Sequence, residues 1–299
     1  MSGFSSSSAA TSGAPATLPR RPVRWRQARE AVLIFNALTI VSAILFFPIY
    51  LILLISVRSP ERAFVYPPDL WFTMSTLANY PRALFDYMPF GLFLRNTMII
   101  AILVIIGDLL SCSLVAYGFA RFRFPGRDVL FMVLLSTLML PFIVRLVPLF
   151  ILFQRIDWIN TFYPLVAPAF FGTPLFIFLM RQFFLTIPAD LVDAARIDGA
   201  NELGIWWRIM LPLSKPVLFA VGIFAFQSTW NDFLAPLVFL QREEVKTVIL
   251  GLYGLMGMFV EWNLVMAGVV VAVLPMVILF FIFQRYFVQG ISLGGGIKG

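Results

Sequence analysis

The residues with the most distinctive spacing lie between Thr186 and Pro212. Asp193, Ala194 and Ala195 are consecutive, Asp198 and Gly199 follow, and Ile209, Leu211 and Pro212 close the segment. Thr186 is placed to cap a helix with Pro188 in its first turn, and Asp190 and Asp193 complement the positive end of that helix. Gly199 suits the left-handed residue that stops it. Asn201 then caps a second helix, whose Ile205, Trp206, Ile209 and Met210 share one face until Leu211-Pro212 ends it. Two short helices around a glycine make a compact knob, and the chemistry a knob offers is recognition. Catalysis lacks its usual carriers: the 299 residues include no His and a single Cys, Cys112. Hydrolytic, metal-dependent and acid-base sites mostly use His, and metal cages use clusters of Cys, His or carboxylate. We therefore expect no catalytic residue and no metal site.

The elements that position the knob follow from composition. Hydrophobic residues make up 61% of the chain and charged residues 12%, with 33 Phe. So few charges cannot cover the surface of a water-soluble domain of this length, which excludes a soluble globular protein, a nucleic-acid binder built on basic patches and a disordered chain. Residues 31–57, 158–180 and 262–284 carry no charge, and each run is long enough to cross a hydrocarbon core about 30 Å thick. The sequence is that of an all-α, multi-span membrane protein. Six spans fit the apolar pattern, near 31–56, 94–118, 129–153, 160–184, 215–240 and 263–287. Pro48, Pro141, Pro148, Pro164, Pro168, Pro174, Pro236 and Pro275 fall inside them and can kink or hinge their helices.

Residues 1–29 are expected to form a disordered tail, Ser- and Ala-rich at first and basic at its end, where Arg20, Arg21, Arg24, Arg26 and Arg29 precede the first span. That span is too long for a signal-peptide core and stays as a helix. Residues 30–288 form the transmembrane domain, with 186–212 as its loop, and residues 289–299 form a second tail whose glycines give it no helix of its own. An even number of spans puts both termini on one side. Placing them in the cytoplasm gathers 14 of the 22 Lys and Arg there, as the positive-inside tendency requires. Asp108, Arg145 and Asp232 are then ionisable groups at membrane depth, which must pair or line a wet cavity. We expect Asp108 and Arg145 to pair.

The knob carries a resemblance. Asp193-Ala194-Ala195, Gly199, Ile209 and Leu211-Pro212 at these spacings resemble the EAA loop of ATP-binding cassette (ABC) importer permeases, with Asp193 where the family usually has Glu. Ala116 to Gly126, the Trp230-Asn231-Asp232 triplet followed by Pro236, and the tail from Gln289 to Gly299 look like the carbohydrate-uptake subfamily, its maltose-type second permease above all. The resemblance covers about residues 30–299. It implies a six-helix type I permease in the cell membrane, paired with a second permease, two cytoplasmic ATPase subunits and an extracytoplasmic solute-binding protein. ATP and Mg would sit on the ATPases. Nothing in this chain would bind a cofactor, and its sequence contains no Gly-x-x-x-x-Gly-Lys-Ser/Thr phosphate loop. The EAA resemblance also implies that Asp193, Ala194, Ala195, Asp198, Gly199, Ile209, Leu211 and Pro212 couple the permease to an ATPase cleft, with Asp193 offering its carboxylate to an arginine there. Asn231 and Asp232 are candidates for the solute path, because sugar hydroxyls need both donors and acceptors; the same triplet reads equally as a structural feature near the gate. Alternatives are an importer of another solute, such as a glycerol phosphate or a polyamine, and a proton-coupled carrier using Asp108 and Asp232.

Overall fold

The computed structural model describes residues 24–66, 69–72, 75–256 and 261–295, and no strand occurs among them. The chain divides into two units, residues 1–50 and 51–299. The first helix, α1, runs Arg24–Ser56 and keeps Pro48 inside it. Within the first unit its Val32, Leu33, Ile34 and Phe35 follow one another without a polar stripe, the composition of a helix surrounded by apolar material.

In the second unit the central element is α2, Phe90–Arg121, about 48 Å long at 1.5 Å per residue. Its buried positions, Phe93, Asn96, Thr97, Ile100, Val104, Asp108, Cys112, Ala116 and Tyr117, recur every three or four residues along one face. That face packs on α5, Tyr163–Thr186, and on α8, Lys215–Trp230. Gly107 allows the approach of α5, since a Cβ there would lie 2.9 Å from the Phe170 ring. The last long helix, α11, runs Trp262–Gly295 and packs on α8.

Two of the expected spans are broken. The third becomes α3, Arg127–Ser136 continued by a tight turn Thr137–Met139, and α4, Phe142–Arg155, with 96° between the two. Pro141 accounts for the break: it supplies no N–H, and it forces Leu140 before it into an extended conformation. Beyond the bend, Leu146 and Phe153 of α4 pack on Ala235 and Phe239. The fifth span ends early as well. α8 stops at Trp230, and after Asn231-Asp232-Phe233 a short α9, Leu234–Phe239, carries the chain onward. Among the described residues four helices are long and apolar enough to cross a membrane, and six if two bent pairs, α3 with α4 and Glu202–Leu213 with α8, each count as one span.

Other expectations are corrected. Asp108 and Arg145 do not pair. Asp108 is buried in α2 and accepts a 2.7 Å hydrogen bond from the Thr173 hydroxyl of α5, next to Gly172, whose φ is +91°. Arg145 instead stands exposed on α4, its guanidinium 5.9 Å from the Phe142 ring centre, because Leu146 rather than Arg145 faces α9. Thr186 does not cap the next helix; it ends α5, and its hydroxyl donates to the Phe183 carbonyl. Of the two expected tails, residues 24–29 belong to α1 and residues 289–295 to α11, whereas residues 1–23 and 296–299 lie outside the described residues.

At the Phe90 end of α2, Asn96 donates to the carbonyls of Glu244 and Lys246 at 2.8 and 3.0 Å, and the Thr97 hydroxyl accepts from Val248 N–H. These bonds fix the start of α10, Val248–Gly254. Asn160 accepts from the N–H groups of Gln241 and Arg242 and so holds the same loop from the other side.

Candidate functional site

The knob forms at the Arg121 end of α2. α6, Ala189–Ile197, has Asp190 in its first turn, as the sequence suggests, while Pro188 sits at the capping position just before the helix rather than inside its first turn. It stops at Gly199, whose φ is +81° and whose neighbour Ala200 donates back to the Ala195 carbonyl at 2.9 Å. Asn201 caps the second helix, α7 (Glu202–Leu213), by accepting from Gly204 N–H at 2.7 Å. Ile205, Trp206 and Met210 are buried and Ile209 is half-buried, all against one cluster with Val192, Ala195 and the Ala116 to Tyr117 stretch of α2. Pro212 does not end α7. The helix runs to Leu213, and the chain turns through 83° at Ser214 into α8.

The candidate residues divide by exposure. Asp193, Ala194, Asp198, Gly199 and Pro212 are exposed, Leu211 is half-buried, and Ala195 is buried beneath the knob, so only one alanine of the pair is open to a partner. Beside the acidic residues Ile197 is 87% exposed, and Leu203 and Trp207 are also exposed. The knob therefore exposes both apolar side chains and carboxylates.

The sequence reading missed three residues that brace this projection. Arg196 holds Glu202 through Nε–Oε1 at 2.8 Å and Nη2–Oε2 at 3.3 Å, and it reaches Asp193 at 3.0 Å through Nη1. The Arg196 guanidinium keeps the Glu202 carboxyl below the usual carboxylate range. Glu202 also accepts from the Tyr117 hydroxyl of α2. The available signal was the placement of Arg196 and Glu202 on either side of the Gly199 turn, which folds opposite charges together. One turn beyond Tyr117, Arg121 donates to the carbonyls of Phe184 and Ile187 at 2.7 Å each, tying the end of α5 to α2.

Asn231 and Asp232 do not share a site. Asn231 is exposed and donates to the Gln227 carbonyl, ending α8. Asp232 is half-buried, accepts from Ala235 N–H at 3.3 Å to start α9, and lines a cavity of about 60 Å³ with Thr97, Thr229, Leu165, Pro236 and Thr247. That volume holds one or two waters and no sugar. Among the described residues no group of His, Cys, Asp or Glu is arranged to hold a metal ion.

Residues 110–293 match the family described as the inner membrane component of binding-protein-dependent transport systems. This stretch includes the knob and most of the spans. The chain belongs to that family. It is thus an ABC importer permease, a transport subunit and not an enzyme. Among the permease's relatives, the arabinooligosaccharides transport system permease protein AraQ of Halalkalibacterium halodurans is 37% identical over 257 residues, 85% of this chain and 91% of the relative. The sn-glycerol-3-phosphate transport system permease protein UgpE of Yersinia pestis is 32% identical over 257 residues, 83% of this chain and 91% of the relative. A crystal structure of a bacterial ABC transporter involved in the import of the acidic polysaccharide alginate contains a chain with the same fold, at TM-score 0.75 and 24% identity, covering 91% of this chain and 99% of that one.

Proposed function

We propose that the permease imports a carbohydrate, and that the Asp193 to Pro212 knob couples it to ATP hydrolysis on partner ATPase subunits. The observation that carries the coupling role is the knob braced at the Arg121 end of α2, on which Asp193, Ile197 and Trp207 are all exposed. A rigid projection of this kind transmits a rigid-body movement of a docked ATPase into the helices on either side of it. Ala194 and Asp198 border the contact, and Gly199 supplies the turn. Buried Ala195, with half-buried Ile209 and Leu211, seats the knob on α2, while Pro212 lies near its exit into α8. The remaining partners are a second, different permease and an extracytoplasmic binding protein. ATP and Mg stay on the ATPases, and both termini of this chain face the cytoplasm.

The cargo reading rests on the likeness to AraQ. UgpE supports a second reading, a phosphorylated glycerol. Charge favours the first, because Asp232 would repel a phosphate and can accept hydroxyls once the small cavity opens onto a path between two permeases. In proteoliposomes holding the full complex and its binding protein, arabino-oligosaccharides should stimulate ATP hydrolysis severalfold and sn-glycerol-3-phosphate should not. Stimulation by the phosphate ester alone would replace the carbohydrate reading. The absence of any ATPase subunit from the purified complex would end the proposal.

A further inference from the structure

Tyr117 lies near the end of α2, is 2% exposed, and has no role in either the docking surface or the solute path. Its hydroxyl donates to Glu202, which lies 85 positions further along the chain on α7. The same carboxylate takes the two-pronged contact from Arg196, and Arg196 in turn holds Asp193. A continuous line of charge-assisted hydrogen bonds therefore runs from the exposed tip of the knob to a buried side chain of α2.

The backbone joins the knob to α5 through Ile187-Pro188 and to α8 through Ser214, but not to α2. Apolar packing against Ala116 and Tyr117 resists separation, yet such contacts are non-directional and allow sliding. A carboxylate held by a forked guanidinium and a phenol has a fixed direction and resists it.

We propose that Tyr117, through Glu202 and Arg196, is a positioning residue for coupling: it makes α2 move with the knob, so that ATPase motion reaches three helices instead of two. Asp193 is shared in this scheme. A guanidinium of the docked ATPase competes with Arg196 for it, so docking acts directly on one end of the line. The proposal rests on the coupling role given to the knob.

The test measures solute uptake and ATP hydrolysis together in proteoliposomes of the whole complex. Tyr117→Phe removes one hydroxyl and leaves the ring against Phe122. It should keep the ATPase bound and basal hydrolysis intact while solute moved per ATP falls about tenfold, the weight of one charge-assisted hydrogen bond. Glu202→Gln should lower the same ratio, and the double variant should be no worse than the worse single variant, as expected for two groups acting as one unit. A wild-type ratio in Tyr117→Phe, or additive losses in the double variant, would overturn the relay. Loss of the ATPase from Tyr117→Phe would also overturn it, by assigning the bond to assembly alone. Asp193→Lys separates the two ideas: full ATPase retention and coupling in that variant would remove the docking role of the knob, whereas its failure alongside a normal Tyr117→Phe would remove only the relay.

Discussion

Gly199 shows what a single residue contributes to the knob. Its φ of +81° is costly for any residue with a Cβ, while no atom beyond its two chain neighbours lies within 4 Å of where that Cβ would go. Backbone strain is therefore the whole penalty of Gly199→Ala, about 1 kcal/mol. Thermal unfolding of the purified permease should register it as a drop of a few degrees, and an unchanged midpoint would show that the turn relaxes. The sequence disclosed this glycine and the Asn201 cap because both are local, written in residues a few positions apart. It did not disclose Tyr117, Glu202 and Arg196 as a group, since the partners lie on different helices and only tertiary packing joins them. Asp108 failed for a related reason: an apolar stretch gives the depth of a charge but not its azimuth, and its partner is Thr173 rather than Arg145.

At the scale of elements, the spans were legible from the length and hydropathy of their apolar runs, whereas the breaks were not. Pro141 turns its helix by 96°, while Pro48, Pro148 and Pro275 stay inside continuous helices. Proline permits a kink, and the packing of α4 on α9 decides where one is used. The stop after Trp230 has no proline at all; Asn231 and Asp232 end one helix and start another with their side chains. The contact of α10 with α2 gives a sharper test. A Cβ at Gly251 would sit 2.2 Å from the Phe93 ring, so Gly251→Ala forces the two helices apart. Overpacking of this kind costs about 1–3 kcal/mol. The variant should insert but unfold at lower temperature in detergent, and Phe93→Leu in the same chain should restore part of the loss. A Gly251→Ala protein as stable as the parent would contradict the close approach.

For the whole molecule, α2 links two ends with different chemistry. Its Phe90 end organises the loop around Glu244 to Val248 through Asn96 and Thr97, and its Arg121 end seats the knob. A permease must pass ATPase motion from one face of the membrane to the other, and a single packed helix of about 48 Å spans that distance without a break. If the knob couples the permease to ATP hydrolysis, its exposed face is covered by an ATPase in the assembled transporter. The direct measurement is the labelling rate of a thiol placed there by Ile197→Cys, in a Cys112→Ala background, using a membrane-impermeant maleimide. Ile197 is 87% exposed in the isolated chain. The thiol should react freely in the permease stripped of its ATPases and at least tenfold more slowly in the assembled complex. Equal rates in the two preparations would contradict docking at the knob.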